Sequence, residues 1–442
     1  LVAVTLTPEA VQLKGKFQTN GTELDGQFVY DMVRQSSILN AEFAVDETLV
    51  KNIALPLPDG MLSGTSIAKL RLNLSKDAPP AIEIKSDLIG TKLSFDQLKW
   101  QKTSNAAADF VAQGTIEDGL KFENIFLKTQ GLELSGRSIS GAAPGEGSFE
   151  FDTFKINDLI DVEGGIGSNK KLTIRKGYFD VRPYFSSPTK RAASGEKIPA
   201  QVALDRVRVT EKVYLDNFLG EIKLGGAVSG VFTAQIGPRS KVIGTLREVR
   251  GRTGVEISSD QGGAFLKEFG AVKGATGGKL KLTLTPAKDG VSTDAFIKVD
   301  DVKIQGAPFL AELLNGISIV GLLDQLSGSG IPINEIEANF RIKEDQVILK
   351  DFTVFGPSMG ITMDGYYNLK TKMMDMQGVI SPIYVINGVG SLVTQKGEGL
   401  IGFNFKLKGQ SGNTVLSINP LSALTPAIFR NLFRRPPPNY DE

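Results

Sequence analysis

Histidine and cysteine are both absent from the 442 residues of this chain. Without histidine there is no Ser-His-Asp triad, no HExxH zinc site and no imidazole acting near neutral pH. Without cysteine there is no thiolate nucleophile, no Cys-rich zinc site and no disulfide. A thiol-free chain suits an oxidising compartment, although many cytosolic proteins also lack cysteine. An excess of one charge is missing as well: Lys+Arg 50 against Asp+Glu 49 leaves a net charge of +1. A nucleic-acid binder needs concentrated basic charge to displace counterions, so no nucleic-acid partner is expected. No run of about 18 uninterrupted apolar residues occurs, which argues against a transmembrane helix, and no signal peptide is visible. The chain opens at Leu1 in an alternating stretch (Val2, Val4, Leu6) rather than at Met. The expectation is a piece of a longer protein, with any membrane anchor on the part not present.

What the sequence does contain is strand pattern. It has 49 Gly, 25 Phe and 41% hydrophobic residues, and period-2 alternation recurs along nearly its full length. Ile82 and Ile84, Leu120 and Phe122, and Leu280, Leu282 and Leu284 alternate with polar neighbours. So do Phe340 and Ile342, and Ile401, Phe403, Phe405 and Leu407. Each set places apolar side chains on one face, as a half-exposed antiparallel strand requires. Turn chemistry separates them at Pro58-Asp59-Gly60, Glu117-Asp118-Gly119, Lys288-Asp289-Gly290 and Lys343-Glu344-Asp345. No exact repeat of fixed period supports a regular solenoid. The predicted fold is mainly β, an elongated, curved, groove-like antiparallel sheet with a few short helices near the C-terminus.

Helical signals are few and late. Ser259-Asp260 stands before a short helix reaching 264–269, and Pro308 occupies a first helical position ahead of Leu310, Leu313, Leu314 and Ile317. A second apolar stretch covers 319–326. Thr425-Pro426 opens a final helix with Ile428, Phe429, Leu432 and Phe433 on one side and Arg430, Arg434 and Arg435 opposite. That face could cap the sheet or lie on an anionic membrane, and its two turns favour capping. Composition divides the chain into a hairpin-rich region 1–185, a linker at 186–199, a continuing β-region 200–255, a C-terminal region 256–433 and a disordered tail 434–442.

Motifs for chemistry fail on inspection. Gly274-Ala275-Thr276-Gly277-Gly278-Lys279 resembles a phosphate loop, but Lys273 stands where the first Gly belongs and Leu280 follows the lysine. A Gly-rich turn before a strand is the better reading. Carboxylates such as Asp351, Asp364 and those of 158–163 leave a two-carboxylate hydrolase open, though Asp and Glu are ordinary on exposed strands and turns. No EF-hand spacing occurs. No catalytic residue, metal or cofactor is expected. The apolar strand faces remain: they form either a closed core or an open groove lining that takes acyl chains, at about 0.8 kcal/mol per buried methylene.

The last third carries a series of segments in order: Ala307-Pro308-Phe309-Leu310, Ile317-Ser318-Ile319-Val320-Gly321-Leu322-Leu323, and Phe355-Gly356-Pro357-Ser358-Met359-Gly360. Ser381-Pro382-Ile383-Tyr384, Gly397-Glu398-Gly399-Leu400 and Asn419-Pro420-Leu421-Ser422 follow. This stretch, from about residue 260 to 433, resembles the C-terminal region of the AsmA-like family of Gram-negative envelope proteins. The resemblance implies a periplasmic protein anchored in the inner membrane by an N-terminal helix. It also implies an apolar β-groove conducting phospholipid between the inner and outer membranes, and the likeness covers roughly 170 residues, a little over a third of the chain. Family members lack known catalytic residues, so the resemblance carries none over. The competing expectation is a scaffold for outer-membrane biogenesis that pairs a sheet edge with envelope protein partners. An outer-membrane barrel is disfavoured, because the strands lack aromatic girdles.

Overall fold

The computed structural model of the chain describes residues 2–19, 21–52, 60–117, 119–139, 147–185, 197–238, 240–382, 401–424 and 435–438. The protein is mainly β: strands make up 65% of it, helices are short, and the antiparallel sheet is not closed into a barrel. The chain divides into two compact units, 1–180 with 198–205 and 181–197 with 206–442.

In the first unit each sheet strand pairs with the next in sequence. Val2–Leu6, Ala10–Thr19, Thr22–Asp31 and Ser36–Val45 lead to Ser66–Ser75, Ala78–Ser86, Asp109–Glu117 and Gly119–Thr129. Leu132–Ile139, Ser148–Ile156, Ile160–Ile166 and Leu172–Asp180 continue the meander. Among the described residues, two connections are longer than a turn. One carries the helix Glu47–Asn52, whose first turn is capped by Asp46 Oδ1 accepting from the Leu49 N–H at 2.9 Å. Together the two connections supply a separate small sheet of Leu62–Gly64, Thr91–Phe95 and Trp100–Lys102.

The second unit repeats the logic with Tyr214–Leu224, Ser229–Ile236, Ser240–Val249, Arg252–Ser259, Gly274–Pro286 and Thr293–Gln305. Ile331–Lys343, Gln346–Phe355, Gly360–Asn368, Met373–Ser381, Phe403–Gln410 and Asn413–Asn419 complete it. The helices Gly262–Glu268, Pro308–Gly316 and Val320–Ser327 occupy the connections 260–273 and 306–330. The predicted Pro308 start is observed at the first helical position. The turn at Glu344-Asp345 is also observed, with Glu344 at φ 51°.

The Gly-rich stretch 274–279 is a correction. It is already strand, with Gly274 opposite Gln305 and Gly277 opposite Val302. Gly277 and Gly278 both have positive φ (69° and 81°), and a Cβ on Gly263 would lie 2.5 Å from the Thr276 nitrogen. These glycines let the helix Gly262–Glu268 close onto the strand backbone, a need that leaves the same composition as a turn.

Within the strands, register slips recur, among them Gln113/Gly114, Ser135/Gly136 and Glu163/Gly164 in the first unit. Asp216/Leu219, Asn339/Phe340 and Leu349/Phe352 follow in the second. Each slip sets an extra residue against its partner strand, which bends the strand and raises its twist. Glycine is required at several of these sites, since a Cβ on Gly136 would lie 2.1 Å from the Glu150 carbonyl oxygen.

In the second unit the result can be measured. Six successive pairings separate Thr293–Gln305 from Asn413–Asn419, about 28 Å on a flat sheet. The helix Pro308–Gly316 follows the first of these strands and spans about 21 Å with its two-residue link. It nevertheless meets the last: a Cβ on Gly316 would lie 2.4 Å from Ile418 Cδ1. Phe309 meets the Phe405 ring edge-on at 5.9 Å. The sheet of this unit therefore curls around the helix, with its apolar face inward.

Candidate functional site

Residues paired across an antiparallel ladder share a face, so the registers convert the sequence alternation into continuous rows. In the second unit, Leu280, Val299, Ile336, Val354, Ile361 and Ile380 form one row, and all are buried. The helices lie over this strand end, with Leu310, Leu313, Leu314 and Leu326 buried. The adjacent row contains Leu282, Ile297, Ala338, Phe352, Met363, Gly378 and Phe405. Gly378 is part of its packing, because a Cβ there would lie 2.5 Å from the Phe405 ring. Toward the other strand end, Leu284, Phe340, Ile342, Val347, Tyr367 and Met374 remain half-buried. The apolar face is thus roofed at one strand end and accessible at the other.

The first unit shows the same gradient. Leu24, Phe43 and Ala68 are buried under Leu49 of the helix Glu47–Asn52. The small sheet adds Trp100, whose ring lies 5.6 Å from Phe95, which in turn lies 5.6 Å from Phe154. Trp100 Nε1 donates to the Gln130 carbonyl at 3.2 Å, satisfying its polar handle in a buried position. Farther along the strands, Leu13, Phe28, Leu39, Leu72 and Ile82 are paired in one half-buried row.

The predicted lining residues therefore separate by environment. Ile82, Ile84, Leu120, Leu284, Phe340, Ile342 and Phe403 are half-buried. Phe122, Leu280, Leu282, Phe405 and Leu407 are buried packing residues. The structure unites Ile82, Ile84, Leu120 and Phe122 in one cluster around Ala112 and Ile125. Phe340 and Leu407 share another around Ala338, Leu349 and Met376. Ile401 is a correction: it is 50% exposed in a bend, and the strand begins at Phe403. Alternation extended the strand one step too far, because Gly402 has no side chain to mark the end. Ile428, Phe429, Leu432 and Phe433 lie outside the described residues.

The opposite face is a ladder of ion pairs between neighbouring strands: Lys128–Glu133 at 3.1 Å, Lys155–Asp161 at 3.0 Å and Lys176–Glu163 at 2.7 Å in the first unit. In the second, Lys298 bridges Glu335 and Glu337 of the neighbouring strand and lies 3.5 Å from Asp300 of its own strand. The hydrogen bonds that the Lys298 ammonium donates to Glu335 and Glu337 raise its pKa above the ordinary range. Exposed pairs of this kind contribute little each, about 0–1 kcal/mol, but keep this face wetted. Arg435 also sits here. Its guanidinium donates to Asp375 Oδ2 at 2.9 Å and to the Asp375 carbonyl at 2.8 Å. The Arg435 hydrogen bond is the main cause that holds the Asp375 carboxyl below its ordinary range. Arg435, at the start of the segment expected to be disordered, is thereby fastened to the sheet.

Among the described residues no cluster of three or more acidic side chains is arranged to hold a metal ion. Asp364 is buried and accepts from Gln377 Nε2 at 2.9 Å, a packing role. No helix of the described residues is long and apolar enough to cross a membrane. Comparisons with protein-family models, with curated proteins and with solved structures find no match to this chain.

Proposed function

We propose that this chain is a non-catalytic, lipid-binding segment of a periplasm-spanning envelope protein, whose apolar sheet faces hold and conduct phospholipid between inner and outer membranes. The observation that carries this reading is the gradient along the strands: large apolar side chains in continuous rows, roofed at one end and half-exposed at the other. A row of paired side chains offers acyl chains a uniform lining, and each methylene taken from water contributes about 0.8 kcal/mol without a specific polar contact. The ion-pair ladder on the other face keeps the protein wetted while the apolar face is occupied. The resemblance of the last third to AsmA-like proteins supports the same reading, including a membrane anchor outside this chain.

The test is native mass spectrometry with lipid extraction on protein produced in a bacterial periplasm. Phospholipid should co-purify, and Ile82→Asp and Phe340→Asp should each reduce its occupancy severalfold while circular dichroism stays unchanged. Full occupancy in both folded variants would overturn the reading. A lipid-free, folded wild-type chain would favour the scaffold alternative. That alternative would act by pairing a sheet edge with a strand of an envelope partner.

A further inference from the structure

The bulge in the strand Gln346–Phe355 has a consequence on the outer face of the second unit. Phe340 pairs with Leu349 and Asn339 with Asp351, leaving Lys350 as the extra residue. Beside this irregularity lies a cavity of about 380 Å³, lined by Thr283, Thr285, Asp294, Phe296, Asn339, Lys350 and Asp351 together with Ala295 and Phe340. That volume falls at the lower end of the range of about 300–1,000 Å³ typical of small-molecule pockets.

We propose that this cavity is a binding site for a neutral, polyhydroxylated ligand, a pyranose sugar in chemical class, seated on the Phe296 ring. Three features select that class. The charges are balanced within the site: Asp294 is paired with Arg341 at 2.7 Å, and Lys350 adjoins Asp351 in sequence. A strongly charged ligand finds no complementary field there. The Thr283 and Thr285 hydroxyls, the Asn339 amide and the Asp351 carboxylate make no side-chain hydrogen bond to any described residue. They offer donors and acceptors together, which suits vicinal hydroxyls that both give and take a proton. Phe296 is half-buried and supplies an apolar surface for the C–H face of a sugar ring.

This inference is tested apart from the lipid reading: Thr283, Phe296, Asn339 and Asp351 pair in a row on the face opposite the apolar rows, and Phe340, which also borders the cavity, is left unchanged in both test variants. Saturation-transfer NMR on the whole chain, with glucose, galactose and N-acetylglucosamine as probes, tests it. At least one sugar should give a saturable signal. Asp351→Ala should weaken it about tenfold, as expected for losing a charge-assisted hydrogen bond. Phe296→Leu, which keeps the apolar volume and removes the flat ring, should weaken it severalfold. Absence of a saturable signal from all three sugars, or a signal unchanged in both variants, would overturn the assignment. Neither result bears on whether phospholipid co-purifies.

Discussion

The two units roof their apolar faces with different materials, and the difference follows from where backbone polar groups find partners. Helices satisfy most of their own carbonyls, so Leu313 and Leu314 of Pro308–Gly316 reach 0% exposure. The roof of the first unit combines the helix Glu47–Asn52 with short strands and turns, and these leave carbonyls pointing inward. There a lysine ammonium takes over: Lys102, only 3% exposed, donates to the Leu88 carbonyl at 2.7 Å, to Thr91 at 2.9 Å and to Thr103 at 3.3 Å. Burial lowers the pKa of this ammonium, and the nearby charge of Asp87 partly opposes that shift. A roof of irregular backbone thus needs a cation where a helical roof needs only leucines.

Breaking each roof separately is the strongest test. Leu313→Ala should cost the second unit about 3 kcal/mol through lost burial and the cavity left behind, read as a lower denaturant midpoint for that unit. Lys102→Met should cost the first unit about 2 kcal/mol by orphaning buried carbonyls. Equal shifts of one shared transition in both variants would show that the units do not unfold separately. The smallest effect sharpens the comparison through pH. Burial raises the Asp289 carboxyl, but hydrogen bonds from Ser292 and from the Val291 N–H outweigh it and hold it at about 2. A folded value below the unfolded value of about 3.9 adds stability above pH 4 and loses it as pH falls toward 2. Asp289→Ala should therefore destabilise the second unit by roughly 1 kcal/mol at pH 7, after allowance for solvent screening. The difference from wild type should vanish near pH 2.

Alternation made the strands legible, and Pro308 and Lys288-Asp289-Gly290 marked a helix start and a turn. The roofing was not legible, because Leu280 and Ile82 look alike in sequence; only the connections folding back over one strand end bury the first and leave the second half-open. Bulges were hidden for a similar reason. Lys350-Asp351 reads as two polar residues in a strand, and only the partner register reveals that one is extra, opening the cavity beside them. The glycines at 274–278 were visible, but glycine marks any close backbone approach, and sequence alone does not distinguish a turn from a helix pressed on a strand.

The one-after-the-next pairing has a bearing on how such a protein can change length. Inserting or deleting a whole hairpin alters the sheet width by about 10 Å and returns the chain to the same strand end, so every remaining row keeps its partners. Losing a single strand instead reverses all that follow and moves their connections to the opposite end. Width is therefore adjustable in steps of two strands, as on a ruler with fixed divisions.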